Sequence, residues 1–388
     1  MRGPVTIAGA GLSGAVLARE LADAGYDVTV YEARDHVAGN CYTERHAETG
    51  VLVHRYGPHI FHTDDAEVWD YVNRFGAFRP YAHRVWSKAG GTVFPMPISL
   101  ATINQFFGSD MGPDAARDFI DETSEDIAAP HNFEEQALSM VGRALYEAFF
   151  EGYTRKQWGC APRDLPAAIL KRLPLRFSYD DGYFAHRFQG MPEEGYTPVI
   201  EAMLNHPRIA VRLSTPLNPG HDVDGHVFWS GAIDAYFYHS EGRLGYRTLD
   251  FENEVRAGDY QGCAVMNYAD GAVPYTRITE HKHFAPWEAH EQTVITREMA
   301  RACGPDDVPY YPIRLATEKA MLHRYIAAAK ATRNVTFVGR LGTYRYLDMD
   351  VCVREAIDVA EKFINADLAD QRLGAFIHAP IDPLTLPA

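Results

Sequence analysis

Val5-Thr6-Ile7-Ala8-Gly9-Ala10-Gly11-Leu12-Ser13-Gly14 stands near the start of the chain, and its reading decides the fold. The apolar run Val5–Ala8 predicts a buried parallel strand, and an amphipathic helix follows from about Ala15 to Ala24. Gly25-Tyr26 breaks that helix, and Asp27-Val28-Thr29-Val30-Tyr31 makes a second strand ending at Glu32. This is G-x-G-x-x-G in its required strand–turn–helix–strand setting, with Ser13 inside the motif. Gly9 permits the tight turn, Gly11 lets backbone approach a pyrophosphate, and Gly14 lets helix and strand pack closely. The helix start presents free N–H groups and the positive end of its dipole to phosphates. Glu32 sits where a carboxylate accepts hydrogen bonds from an adenosine ribose, and where it would repel the extra phosphate of NADP.

The next segment separates FAD from NAD. Ala33-Arg34-Asp35-His36-Val37-Ala38-Gly39-Asn40 resembles the second fingerprint of the glutathione-reductase-type FAD proteins, in which the chain wraps onto the ribityl and phosphate portion of the flavin. That resemblance implies FAD and places Asn40 beside it.

Working outward, 388 residues suggest two or three domains with ordinary cores. The 37 basic and 52 acidic residues leave a formal charge of −15, which repels nucleic acid and anionic membranes at long range. A local arginine pair in a cleft still admits an anionic small molecule. The five cysteines are scattered and form no C-x-x-C, so neither a zinc ribbon nor a disulfide framework is supported. His281-Lys282-His283 lacks a third ligand of fitting spacing, and no metal is expected. With no apolar run near the ~18 residues of a membrane helix and no signal-like start, a cytoplasmic protein is expected.

Apolar spacings of three and four predict helices at Glu67–Phe75, Ala101–Phe107, Pro113–Ile127 and Phe133–Glu151, with a hairpin at Tyr81–Pro97. From Phe228 to Thr296 the pattern is strand-like. A helix at Glu318–Lys330, a strand at Val335–Gly339 and a last helix from about Val351 to Asp367 follow. The proline-rich tail after Ala375 is expected to be loosely held. The fold class is therefore α/β: a Rossmann-like FAD-binding domain interrupted by a helical-bundle insert and an antiparallel β-sheet insert. Approximate boundaries are 1–78, 195–230 and 315–380 for the FAD domain. The helical cap takes 98–180, with a mobile loop at 163–177, and the sheet domain takes 79–97, 181–194 and 231–314.

Five strings go further: Tyr56-Gly57-Pro58-His59-Ile60-Phe61-His62-Thr63, Gly152-Tyr153-Thr154-Arg155-Lys156-Gln157-Trp158-Gly159, Pro274-Tyr275-Thr276-Arg277-Ile278, Pro309-Tyr310-Tyr311-Pro312, and Gly339-Arg340-Leu341-Gly342-Thr343-Tyr344-Arg345-Tyr346-Leu347-Asp348-Met349. In this order they resemble the UDP-galactopyranose mutases, flavoenzymes of bacterial cell-surface sugar synthesis, over about Val5 to Phe363. The resemblance implies redox-neutral interconversion of UDP-galactopyranose and UDP-galactofuranose by reduced FAD, through an adduct between flavin N5 and sugar C1 and an iminium. It also implies a homodimer and an external reductant. The nucleophile then belongs to the cofactor, and the protein supplies orientation, diphosphate stabilisation and an electron-rich flavin.

By the same resemblance Arg172 and Arg277 clamp the diphosphate, a task that suits the rigid guanidinium fork. Tyr153 and Trp158 pack on uracil, with Phe149 and Phe150 beside them. Tyr183, Tyr311 and Tyr346 hydrogen-bond the diphosphate, and Gln105 and Asn267 lie near the nucleotide. His59, Ile60 and Arg340 border the flavin, and Asp348-Met349 begins a helix whose positive end faces the flavin pyrimidine. On spacing alone, Trp158, Phe149 and Phe150 also read as core. The chain departs from the family pattern at Ala38, Ser230-Gly231-Ala232, Tyr236-Phe237-Tyr238-His239, Arg314 and Asp350. An alternative is therefore the same chemistry on another nucleotide sugar, such as TDP-fucose. A more distant one is a flavin oxidase or desaturase.

Overall fold

The computed structural model describes residues 2–172, 175–220, 223, 225–313 and 316–380. Its nucleotide-binding layer is a five-stranded parallel sheet in the order Ile209–Arg212, Asp27–Tyr31, Pro4–Ala8, His226–Trp229, Val335–Phe337. Val5, Ile7, Val28, Val30 and Phe228 are almost fully buried, as expected of parallel strands covered on both faces. The first helix runs Leu12–Asp23, so it begins earlier than its apolar pattern suggests and places Ser13 and Gly14 in its first turn. Its alanines, Ala15, Ala18 and Ala22, share one core with Val353, Ala356, Val359, Ala360 and Phe363 of the last helix, Met349–Leu368.

The described start of the tail is held on the last parallel strand. Phe337 N–H donates to the Ala375 carbonyl at 2.8 Å, and Phe376 stacks on Phe337 at 5.5 Å. Residues 381–388 lie outside the described residues.

The helical insert comprises Leu100–Phe107, Pro113–Thr123, Phe133–Leu145 and Gly152–Trp158. The continuous helix expected over Phe133–Glu151 is divided. Gly142 takes φ 72°, where a Cβ would lie 2.7 Å from the Thr123 carbonyl oxygen, and a wide π-type turn occupies Tyr146–Glu151. Such turns re-aim side chains; here the turn carries Phe149 and Phe150.

The third unit is a seven-stranded sheet ordered Tyr311–Pro312, Tyr246–Ala257, Gln292–Ala302, Arg277–Glu280, Val265–Tyr268, Val85–Ala89, Thr92–Met96. It is not wholly antiparallel as expected: Val265–Tyr268 pairs in parallel with Val85–Ala89. A long crossover separates those strands, which a parallel pairing requires. A small sheet of Phe61–Thr63, Phe188–Pro192 and Phe78–Pro80, not foreseen from the pattern, ties this unit to the nucleotide-binding layer. No helix among the described residues is long and apolar enough to cross a membrane.

Candidate active site

At the carboxyl ends of the parallel strands lies a cleft of about 430 Å³, lined among others by Gly9, Gly11, Ser13, Gly14, Glu32, Arg34 and Asn40. Geometry requires a glycine at Gly9, Gly14 and Gly39. Gly9 has φ 99°, and a Cβ on Gly14 would stand 2.0 Å from the Gly9 carbonyl oxygen. Gly11 meets the second loop backbone to backbone, since a Cβ on Gly39 would lie 3.1 Å from the Gly11 Cα. Glu32 Oε2 accepts from Ala10 N–H at 2.8 Å and Oε1 from Arg34 N–H at 2.9 Å. The carboxylate is thus fixed by backbone and keeps lone pairs for a ribose. Arg34 donates from Nη2 to Asn40 Oδ1 at 2.8 Å and lies over the Tyr56 ring at 4.4 Å. Its Nη1 is buried with no protein partner among the described residues. A buried orphan donor at a dinucleotide cleft fits a polar ligand.

His59, Arg340 and Met349 line both this cleft and a second cavity of about 220 Å³. Asp348 and Met349 begin the last helix there, bringing its positive end to the junction. Arg340 donates to the Leu347 carbonyl at 3.0 Å and lies over the rings of Tyr346 and Tyr311, which stack on each other at 5.7 Å. His59 Nδ1 is 2.9 Å from the Gly57 carbonyl, which only accepts, so Nδ1 carries a proton. Enclosure, then the Arg340 and Arg277 charges, hold the ring pKa at about 4. His59 is therefore neutral, with Nε2 a bare acceptor.

The cavity floor is the mixed sheet. Arg277 and Glu298 are direct partners across neighbouring strands, with Nε 3.3 Å from Oε1. Arg277 Nη2 also donates to the Tyr153 hydroxyl at 3.3 Å. Enclosure opposes the Arg277 charge, yet Glu298 and the surrounding phenols hold its pKa well above the ordinary value, so it is a fixed cation. Enclosure pushes the Tyr183 phenol up to about 12 and the Tyr311 phenol higher, so both stay protonated as donors.

Tyr153, Tyr183 and Asn267 also line a third, apolar cavity of about 100 Å³, whose other walls include Met96, Met140, Phe149, Phe150 and Leu170. The three cavities are thus continuous in their linings: cofactor cleft, polar centre, apolar slot.

Most residues named from sequence converge here, including Ile60 in the central cavity. Two of the described ones do not line these cavities, and the side chain of a third lies outside the described residues. Gln105 is exposed and donates to the Val93 carbonyl at 2.9 Å. Trp158 ends the Tyr153 helix, half-buried against the helical core. Arg172 closes a 3₁₀ segment, Ala167–Arg172, but its side chain, like parts of the 163–177 loop, lies outside the described residues. Sequence reasoning missed Glu298, Tyr310, His62, His83 and Phe184 in the central cavity. Glu298 had no local signal, because its partner lies on another strand.

Two family profiles match the chain: an NAD(P)-binding Rossmann-like domain over residues 7–75, and UDP-galactopyranose mutase over residues 148–346. A probable UDP-galactopyranose mutase of Klebsiella pneumoniae is 54% identical over 96% of this chain and 97% of its own. A dTDP-fucopyranose mutase of Escherichia coli is 49% identical over 93% and 98%. The crystal structure of a reduced UDP-galactopyranose mutase superposes with a TM-score of 0.74, covering 97% of this chain and 99% of that one at 14% identity, a likeness of fold. Together with the glycine cradle and the cavity it opens into, these matches assign the chain to the UDP-galactopyranose mutase family.

Proposed function

We propose that the protein is a FAD-dependent isomerase that interconverts UDP-galactopyranose and UDP-galactofuranose without net redox change. The observation that carries this reading is the fixed Arg277 cation in a cavity joined to a dinucleotide cleft on one side and an apolar slot on the other. A cleft with that order of neighbours suits a nucleotide sugar lying with its base in the slot, its diphosphate on Arg277 and its sugar toward the cofactor.

The cleft fits FAD: the contacts at Gly9, Gly14 and Gly39 leave no room for side chains, Glu32 is aimed by two backbone donors, and Arg34 has an unspent buried donor. When bound and reduced, FAD supplies an electron-rich ring nitrogen able to take the anomeric carbon as the nucleotide leaves.

The remaining work belongs to the chain. Arg277 neutralises the departing diphosphate and keeps it for return, with Arg172 proposed as the second arginine from its sequence motif. Tyr153, Tyr183, Tyr311 and Tyr346 surround that charge with phenol groups. The helix beginning at Asp348-Met349 and the Arg340 guanidinium stabilise negative charge on the ring. His59, held neutral, offers an acceptor without adding a competing positive charge. A homodimer and an external reductant complete the reading.

A second substrate is favoured by one observation. The chain is almost as similar to a dTDP-fucopyranose mutase as to a probable UDP-galactopyranose mutase, and the slot walls include two adaptable methionines, Met96 and Met140, that accommodate an extra base methyl. Anaerobic, dithionite-reduced protein given UDP-galactofuranose and TDP-fucofuranose in parallel, with pyranose products resolved by chromatography, distinguishes them. Conversion of the UDP sugar supports the main reading, and conversion of the TDP sugar alone transfers the same chemistry to the second. Conversion of neither by flavin-loaded protein overturns both.

A further inference from the structure

We propose that Lys156 is a positioning residue: it pins the Gly152–Trp158 helix to the hairpin that carries Asn267 and Arg277, and so sets the Tyr153–Arg277 contact on which diphosphate binding depends. The inference rests on the mutase reading and adds a residue to it.

Lys156 spends all three ammonium protons on backbone. Nζ donates to the carbonyls of Tyr268 at 2.7 Å, Asp270 at 2.9 Å and Tyr275 at 3.0 Å. Those carbonyls belong to the turn between the strands Val265–Tyr268 and Arg277–Glu280, in which Asn267 and Arg277 are direct partners. The helix itself meets this turn backbone to backbone, since a Cβ on Gly152 would stand 2.3 Å from the Ala269 carbonyl oxygen. Its other end is held by Arg247, buried on the long strand Tyr246–Ala257. That guanidinium donates from Nε to the Gln157 carbonyl at 2.8 Å and from Nη2 to the Lys156 carbonyl at 3.2 Å.

Tyr153 lies one helical turn before Lys156, on the same side, and shares the central cavity and the apolar slot. A surface lysine would not be arranged this way. A half-buried ammonium donating to three carbonyls of one turn fixes distance and rotation together, and small misplacements of binding groups cost large factors in rate.

The arrangement has a pH signature. Burial lowers the Lys156 pKa to about 8, opposed by the Asp270 carboxylate from the turn. The other charged groups near it are Arg247 on the strand side and Arg155 of its own helix, paired with Glu151 at the end of the preceding turn, and the Tyr268 and Tyr275 rings pack on each other at the hairpin. Deprotonation removes one donor and the positive charge, so the helix loosens as pH rises through about 8.

The experiment is calorimetric titration of FAD-loaded, oxidised protein with UDP between pH 6.5 and 9, alongside flavin absorbance as a check on folding. Wild-type affinity is expected to be flat to about pH 8 and then to fall. Lys156→Arg keeps its charge and should abolish that break, Asp270→Asn should move it to lower pH, and Lys156→Met should weaken UDP by about tenfold at pH 7 with FAD retained. Should Lys156→Met fail to fold, the shift of the break in Asp270→Asn decides alone. Wild-type affinity independent of pH, or Lys156→Met binding UDP normally, overturns the inference while leaving the mutase reading standing. A wild-type protein that binds no UDP overturns the reading and the inference together.

Discussion

Arg277 and Glu298 occupy partner positions on neighbouring strands, Nε 3.3 Å from Oε1, where a buried carboxylate faces a guanidinium that opens into the substrate cavity. The pair keeps the arginine charged and aimed before substrate arrives. Arg277→Ala removes the charge-assisted partner of the leaving diphosphate and strands Glu298 in the cavity floor. A loss of about 2–5 kcal/mol in transition-state stabilisation, some 30-fold or more in kcat/KM, is expected. Steady-state kinetics of the reduced enzyme check this, and turnover near wild type removes Arg277 from the chemistry.

Gly14→Ala tests the cofactor cradle. The new Cβ would meet the Gly9 carbonyl oxygen at 2.0 Å, and backbone cannot yield as a flexible side chain does. The variant should purify with little or no bound flavin, visible in the 450 nm region. Full flavin content would mean that helix and strand are not in contact as described.

Tyr183→Phe deletes one phenol that enclosure holds protonated, with its pKa at about 12. A hydrogen bond to a charged group is worth roughly 1.5–3 kcal/mol, so kcat/KM should fall about tenfold or more while the melting temperature stays put. An unchanged kcat/KM would return Tyr183 to a packing role.

Stability should weaken on mild acidification. Enclosure, with Arg340 and Arg277 for His59, holds the pKa of His59 at about 4, and burial holds those of His83 and His281 at about 3. In the unfolded chain each titrates near 6.5. Below that value the unfolded chain binds protons that the folded protein refuses. The histidine contribution is therefore complete above about pH 6.5 and drains away as pH falls toward the folded values, at up to about 1.4 kcal/mol per tenfold change in proton affinity. Melting temperatures measured at pH 7.5, 6 and 5 should decline in that order, before most carboxylates titrate. A flat profile over this range contradicts neutral burial.

Much of this was legible in residues close together in the chain. The glycine turn, Glu32 and Asn40 are read within the first forty positions because their geometry is local. Phe149 and Phe150 fit a helical pattern and were ambiguous between core and site. What turns them is a wide turn beyond the Gly142 kink, where φ 72° interrupts an apolar periodicity that gives no hint of it. The Arg277–Glu298 pairing and the parallel contact between Val85–Ala89 and Val265–Tyr268 depend on long-range register, which no window of sequence carries. Gln105 and Trp158 entered through resemblance alone, and the structure places them outside the three cavities.

The most direct test of the central claim compares one protein in two redox states. Anaerobic enzyme is incubated with UDP-galactofuranose, once with oxidised flavin and once after dithionite reduction, and UDP-galactopyranose is quantified by chromatography. Conversion confined to the reduced sample, with flavin still reduced at the end, is the predicted result. Equal conversion in both states, or conversion that stoichiometrically oxidises the flavin, would contradict a redox-neutral reaction carried by the reduced cofactor.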